Sequence, residues 1–158
     1  MNHTSVIIGG EKDSTKSFDT IISLNDKSWN KVADLPVPVS RHCSVLIKED
    51  TIYVIGGHIG KSTFSVETIS FNALNSDFTT IGATLTRGRQ LHSCAMLNPN
   101  HIIVVGGRDA RGVLKSVETL DVRTSKKWIE RENLQLPIGI SYAQLVPNPS
   151  GLCMQNNA

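Results

Sequence analysis

The sequence has no long apolar run, no clustered excess of one charge and few aromatic side chains. None of its windows approaches the ~18 consecutive apolar residues that a membrane helix needs, and its first residues show neither the basic nor the apolar segment of a secretory signal. Lys and Arg together number 16 against 14 Asp and Glu, and the longest basic cluster is Lys126-Lys127. Because a nucleic-acid surface normally carries a clustered excess of Lys and Arg, we expect neither a nucleic-acid nor a membrane partner.

Cysteine is also scarce. Cys43, Cys94 and Cys153 form an odd-numbered set without the CxxC spacing of a metal site. Disulfides are rare in reducing compartments, so the simplest interpretation is free thiols in a cytoplasmic protein. The sequence also lacks a Gly-rich phosphate loop, a nucleophile elbow and a metal-spaced cluster, and we therefore expect no cofactor and no bound metal.

What the sequence does contain is an internal repeat of about fifty residues. Gly-Gly pairs begin at Gly9, Gly56 and Gly106, with steps of 47 and 50 residues between them. A large aromatic follows each pair (Trp29, Phe78 and Trp128), and the shared segments are FDTIISL (18–24), SVETISF (65–71), SVETLDV (116–122), RHCSVLI (41–47) and LHSCAML (91–97). These segments are rich in β-branched residues and are separated by turn-like residues, so each unit is predicted to form four short β-strands.

The repeated glycines and aromatics are predicted to be structural. Glycine ends a strand where the chain turns sharply or another backbone comes close, and the aromatic supplies a large apolar body to pack between neighbouring sheets. In this order of double glycine, VETLD-like block, aromatic and histidine-containing strand, the sequence resembles Kelch repeats over residues 5 to 147. The resemblance implies an all-β fold, a Kelch-type β-propeller in which each repeat is one four-stranded blade.

The phase of the repeat is unusual. With the blade strands labelled A to D, the chain opens in B and closes in A, so it carries B-C-D, two A-B-C-D sets and a lone A strand in GISYAQLV (139–146). We expect Kelch repeats over 1–147, in units of about 5–40, 41–90 and 91–147, and a flexible tail over 148–158. Kelch rings usually have about six blades. Either two chains close a six-bladed ring as a dimer or the chain is half of a longer one, and the dimer is favoured because it would cover both unpaired ends.

The resemblance also indicates where a partner would bind. Successive turns of an antiparallel meander alternate between its two ends, so the D–A and B–C connections share one face, and protein-binding Kelch propellers use that face. The implied partner-contacting residues are Arg41, His58, Lys61, Arg87, Arg89, Arg108, Asp109 and Arg111. Their arginines suit an acidic peptide segment. Specificity is expected in the residues that follow the glycine pairs, which are Glu11, His58 and Arg108.

Catalysis is the alternative function. A Kelch-like sugar epimerase would need acid and base residues in an axial pocket, and Asp19, Glu67 and Glu118 recur at matched places in the third strands. Recurrence in every unit favours a structural role for them. His42 and His92 also match, but a metal site needs a third ligand and the equivalent residue, Ser141, is a poor one, so both histidines are predicted to form structural hydrogen bonds.

The cysteines of the repeat complete the prediction. Cys43 and Cys94 are one position apart in similar strands, so they should face opposite sides of those strands and serve as small buried residues. The sequence therefore predicts a Kelch-type module that is not an enzyme. It would bind another protein as a scaffold or substrate-recruiting adaptor, and a second copy of the chain would be a further partner.

Overall fold

The computed structural model describes residues 5–13, 16–25, 27–60 and 63–146. These residues form short strands joined by turns, as their β-branched segments predict. The strands are β1 (Val6–Ile8), β2 (Glu11–Asp13), β3 (Lys16–Ser17), β4 (Thr20–Asn25), β5 (Ser28–Asp34), β6 (Cys43–Leu46), β7 (Thr51–Ile55), β8 (Thr68–Asn72), β9 (Asp77–Ile81), β10 (Ser93–Asn98), β11 (His101–Val105), β12 (Arg108–Asp109), β13 (Gly112–Val113), β14 (Val117–Asp121) and β15 (Trp128–Glu130), and a 3-10 helix covers Glu132–Leu134. None of the described residues belongs to a helix long and apolar enough to cross a membrane. The predicted tail 148–158, with Cys153, lies outside the described residues.

Three antiparallel sheets follow one another along the chain. Sheet I has the order β1-β4-β5, sheet II the order β6-β7-β8-β9 and sheet III the order β10-β11-β14-β15. Two small hairpins, β2-β3 and β12-β13, lie in connections between the predicted B and C strands. The chain is therefore all-β, and the predicted B-C-D set followed by two A-B-C-D sets is confirmed.

The predicted final strand is wrong. Residues 139–146 are described and form no strand. Their path nevertheless continues the repeat, because the Tyr142 amide donates to the carbonyl oxygen of Leu91 at 3.0 Å, as the Leu91 amide donates to that of Arg41 at 2.8 Å. A strand needs a neighbour to complete its ladder, and no strand among the described residues lies beside this segment.

Two apolar clusters join the sheets. Ile21, Val54 and Phe71 lie at the centre of the cluster between sheets I and II, and Ile55 and Ile102 lie at the centre of that between sheets II and III. These five side chains are each at most 2% exposed. The sheets therefore stack face to face in chain order, and the core is formed at the two interfaces between them.

The repeated aromatics fill these interfaces in two of the three units. Trp128 is fully buried between sheets II and III, where its indole Nε1 donates to the Thr68 hydroxyl at 3.0 Å. Phe78 stacks on Phe71 between sheets I and II, with ring centroids 5.1 Å apart. Trp29 differs because it is 47% exposed. No described sheet covers that side of sheet I.

The glycine pairs follow β1, β7 and β11, the predicted B strands of the three sheets, at close backbone crossings. Both glycines of every pair adopt positive φ, a region that glycine enters without steric cost. A Cβ atom on Gly57 would lie 2.7 Å from the carbonyl oxygen of Ser40, and one on Gly107 would lie 2.6 Å from that of Gln90. The predicted structural role of the glycine pairs is confirmed, since the connection from the preceding sheet passes directly over Gly57 and Gly107.

Cys43 and Cys94 form a disulfide between β6 and β10, so the prediction of free thiols is wrong for this pair. Both residues line the cluster between sheets II and III. Side chains that meet across an interface between two sheets must point in opposite directions from their own strands. The offset of one position, which predicted opposite faces, is therefore what brings the two sulfur atoms together.

The third strands of sheets II and III are not in the register that their sequences suggest. β8 begins with Thr68 opposite Ile55, whereas β14 begins with Val117 opposite Val105. Accordingly, the Gly56 amide donates to the carbonyl oxygen of Glu67, but the Gly106 amide donates to that of Ser116. The expected equivalence of Glu67 and Glu118 is thus wrong: Glu118 is fully buried and Glu67 is exposed.

Candidate partner-binding face

The B–C and D–A connections meet at one end of the molecule, as the alternation of turns predicts. We call this end the loop face; it comprises the described residues of 9–19, 35–42, 56–67, 82–92, 106–116 and 131–142. Two antiparallel bridges tie its segments together, between Ser40 and His58 and between Gln90 and Arg108. Because backbone bonds fix these connections to one another, their side chains project from a defined surface.

Arg41 lies on the loop face but is already paired. Its Nε donates to the Glu11 carboxylate at 2.9 Å and its Nη1 to Oε1 of Gln90 at 3.2 Å. Its backbone has φ 55°, and the equivalent Leu91 and Tyr142 have φ 57° and 59°. Arg41 therefore links three consecutive segments of the repeat, and its charge is balanced by Glu11.

Three arginines at the sheet III end of the loop face are exposed, and we call Arg87, Arg108 and Arg111 the arginine cluster. Arg87 Nη1 lies 3.9 Å from Oδ2 of Asp109. The other oxygen of Asp109 accepts the Arg111 amide at 2.7 Å, which shapes the β12-β13 turn. Asp109 thus contacts the Arg87 guanidinium and shapes the turn that carries Arg108 and Arg111, and the three arginines outnumber this one carboxylate.

Arg89 does not belong to the exposed surface, although the sequence placed it there. Its side chain is fully buried, pairs with the Glu118 carboxylate and donates to the carbonyl oxygen of Gly106 at 3.0 Å. Burial lowers the pKa of the Arg89 guanidinium, and the Glu118 carboxylate opposes that shift. Contact between this side chain and a partner is sterically excluded, because Arg89 points into the interface between sheets II and III.

The remaining predicted contacts are distributed differently. His58 is partly buried and forms backbone bridges to Ser40 and Phe64, so its backbone holds the loop face together. Lys61 lies outside the described residues. The structure thus brings Arg87, Arg108, Asp109 and Arg111 together, keeps Arg41 in a separate paired site and removes Arg89 from the face.

His42 and His92 lie beneath the glycine turns. A Cβ atom on Gly57 or Gly107 would lie 2.7 Å from the Cβ atom of His42 or His92, respectively. His92 Nε2 donates to the carbonyl oxygen of Ile55 at 3.1 Å, which agrees with the predicted structural role. Burial lowers the pKa of His42 to about 4 and that of His92 to about 3. Both imidazoles are therefore neutral at pH 7.

The third position of this series was misassigned from the sequence. The backbone pattern that places Arg41 and Leu91 before the histidines places Tyr142 before Ala143. The equivalent of His42 and His92 is therefore Ala143, and Ser141 lies two residues before it. Across the described residues, no group of three or more His, Cys, Asp or Glu side chains could hold a metal ion.

The sequence reasoning missed the apolar part of the loop face. Three equivalent leucines donate their backbone amides to the residues just before β4, β8 and β14; they are Leu35, Leu85 and Leu136. The residue two positions after each leucine is Val37, Arg87 or Ile138. The exposed fraction is 45% for Val37 and 63% for Ile138, and Tyr142, which also belongs to the loop face, is 76% exposed. The constant spacing after leucine is the signal that could have identified these positions.

Comparison with known proteins gives distant similarities. No family model matches the chain. The chain is 27% identical over 148 residues to tRNA wybutosine-synthesizing protein 4 of Gibberella zeae, covering 82% of this chain, and 26% identical over 122 residues to Kelch-like protein 41a of Danio rerio, covering 76%. It spans only 14% and 20% of the length of these two relatives. The similarity to a Kelch-like protein, together with the all-β sheets, points to a Kelch-type fold.

Proposed function

We propose that the chain is a Kelch-type β-propeller segment that binds another protein through its loop face, as a scaffold or a substrate-recruiting adaptor. Three observations support the propeller arrangement: the sheets are meanders of the same order, they stack face to face, and Gly57 and Gly107 lie under the connections from the sheets before them. The distant similarity to a Kelch-like protein agrees with a role in protein interaction.

The arginine cluster is the observation that carries the binding proposal. Arg87, Arg108 and Arg111 are exposed on a backbone held by bridges, and Asp109 is the one carboxylate bonded within this group among the described residues. Guanidinium groups recognise carboxylates through paired hydrogen bonds. The exposed apolar Ile138 lies at an equivalent position on the next connection. The expected ligand is therefore an acidic peptide segment that also carries an apolar side chain.

A catalytic role in an axial pocket is the weaker candidate. Glu118 is bonded to Arg89, and His42 and His92 are neutral and packed against glycine turns. Glu118 and His92 are buried, and His42 packs against the turns at Gly9 and Gly57, so none of these groups is placed to exchange a proton with a bound sugar. We therefore propose that the chain is not an enzyme. The appropriate test therefore measures binding of a peptide and not turnover of a substrate.

The proposal is tested with a fluorescein-labelled peptide rich in Glu and Leu, and with its Gln-for-Glu counterpart, by fluorescence anisotropy. Replacing all three cluster arginines by Ala should weaken binding of the acidic peptide about tenfold or more, since charged hydrogen bonds contribute roughly 1.5–3 kcal/mol each. Arg123→Ala is the control, because Arg123 is an exposed arginine in the turn between β14 and β15, at the opposite end of sheet III.

Three results would contradict it: equal loss of binding in the Arg123→Ala protein, no preference for the acidic peptide, or unchanged binding after loss of the cluster. The ring of two copies that the sequence favoured is a separate arrangement, in which sheet III of one copy would cover the outer side of sheet I of the other. The molar mass in solution tests it, since that mass would then be twice that of the chain.

A further inference from the structure

The outer side of sheet I repeats the geometry of an interface between sheets but has no partner among the described residues. Trp29 pairs with Leu24, as Phe78 pairs with Phe71 and Trp128 with Leu120. The three aromatics are thus equivalent, and each points toward the side where a preceding sheet would lie. Trp29 is 47% exposed and Ile7, on the same side of the sheet, is 48% exposed. We call this side the Trp29 surface.

The two complete interfaces show how a preceding sheet receives the aromatic. Ile21 and Thr68 occupy equivalent positions near the start of β4 and β8, since Ile21 lies opposite Ile8 and Thr68 lies opposite Ile55. Thr68 faces Trp128 and accepts its indole N–H at 3.0 Å. Ile21 belongs to the cluster into which Phe78 packs. The indole N–H of Trp128 therefore meets a hydroxyl group, whereas Phe78, which has no N–H, packs near an aliphatic side chain.

Sheet III does not fit Trp29 by this rule. The residue at the equivalent position is Val117, opposite Val105. If sheet III of a second copy covered the Trp29 surface, the indole N–H would find no acceptor at this position, because Val117 has none and is only 2% exposed within its own chain. A buried donor without an acceptor loses its hydration without compensation, so that pairing is disfavoured.

We infer that the Trp29 surface is covered by a β-sheet of different sequence from the three described here, which carries Ser or Thr at the position of Thr68. The surface is a continuation of the two existing interfaces, which identifies its occupant as a sheet of the same type. The indole N–H then identifies the side chain that must meet it. This inference rests on the repeat geometry and does not depend on the loop face.

Self-association, followed by sedimentation velocity over a range of concentrations, provides the test. Val117→Thr gives sheet III the missing acceptor, so it should lower the dissociation constant of self-association roughly fivefold. Trp29→Phe should abolish that gain. In the otherwise wild-type chain, Trp29→Phe should leave self-association unchanged or stronger, because phenylalanine has no donor to satisfy.

Opposite results overturn the inference. A wild-type dimer that weakens after Trp29→Phe would show that Val117 receives the indole, and equal dissociation constants for the wild-type and Val117→Thr proteins would show that the hydroxyl is irrelevant. Val117 is buried, so Val117→Thr could destabilise the chain. Trp29 is half exposed, so Trp29→Phe should fold, and its effect on self-association is then the test. Thr68→Val tests the rule within one chain: it should lower the folding equilibrium constant about tenfold, and no coupling with Trp128→Phe would contradict the rule.

Discussion

At the scale of single residues, the two interfaces between sheets differ at one pair of equivalent positions, which is charged in one interface and apolar in the other. The Gly57 amide donates to the carbonyl oxygen of Arg89, as the Gly10 amide does to that of Val39, so Arg89 and Val39 are equivalent. Glu118 lies opposite Val104 as Ile69 lies opposite Val54. An ion pair between sheets II and III thus replaces the apolar contact found between sheets I and II.

A third residue, Thr86, explains why a buried carboxylate is accommodated between sheets II and III. The Thr86 amide donates to Oε2 of Glu118 at 2.8 Å. Thr86 follows Leu85, and the residue that follows the equivalent Leu35 is Pro36, which has no N–H to satisfy. Glu118 therefore serves two donors, the Arg89 guanidinium and a backbone amide that the other interface does not present.

Removing Glu118 alone should be costly. Glu118→Leu leaves the buried Arg89 charge and the Thr86 amide without their acceptor, so the free energy of unfolding should fall by about 3–5 kcal/mol. The combination Thr86→Pro, Arg89→Met and Glu118→Leu copies the apolar interface and should recover most of that loss, to within about 1–2 kcal/mol of wild type. Urea denaturation followed by tryptophan fluorescence, to which Trp128 and Trp29 both contribute, measures both free energies.

The control is Glu67→Leu. Glu67 shares the SVET block with Glu118 but is exposed, and its loss should change the free energy of unfolding by no more than about 0.5 kcal/mol. If the triple variant were less stable than Glu118→Leu alone, the proposed equivalence of the two interfaces would be refuted.

At the scale of strands, β6 and β10 are joined covalently as well as by packing. The Cys43–Cys94 bond closes a loop of 51 residues between the first strands of sheets II and III. A cross-link of this span restricts the unfolded chain. The register of these two strands relative to each other is therefore fixed by the disulfide in addition to the apolar cluster beside it.

Breaking this bond should loosen the interface between sheets II and III. We expect Cys43→Ser, or reduction with dithiothreitol, to lower the free energy of unfolding by about 2–4 kcal/mol, measured by urea denaturation. Reductant should have no effect on the Cys43→Ser/Cys94→Ser protein. A reduced wild-type chain as stable as the oxidised one would show that packing alone holds these strands.

At the scale of the whole molecule, the sequence predicts the order of strands well, because that order follows from local signals. The glycine pairs and the β-branched segments act within a few residues of themselves, and sheets I to III follow them. The burial of Glu118 and the exposure of Trp29 could not be predicted in this way. They depend on the register of β14 and on whether a neighbouring sheet covers β5. The disulfide also required knowledge of which strand faces meet.

The histidines beneath the glycine turns give the whole fold a dependence on pH. His42 and His92 lie at the two interfaces between sheets, and burial lowers their pKa from 6.5 to about 4 and about 3. The unfolded chain therefore binds protons that the folded chain does not. By linkage, the stabilisation is complete above pH 6.5 and is lost as the pH falls through 6.5 toward these lower values.

We therefore expect the free energy of unfolding to decrease between pH 6.5 and pH 5, with a slope of up to about 1.4 kcal/mol per pH unit for each histidine. This window lies above the range in which most carboxylates titrate, so urea denaturation at pH 8, 6.5 and 5 isolates the histidine contribution. His92→Gln keeps a donor for the Ile55 carbonyl and should reduce the slope, and the same substitution at the partly exposed His101 controls for loss of an imidazole. A wild-type stability that stays constant from pH 6.5 to pH 5 would show that these imidazoles are protonated as readily in the folded chain as in the unfolded one.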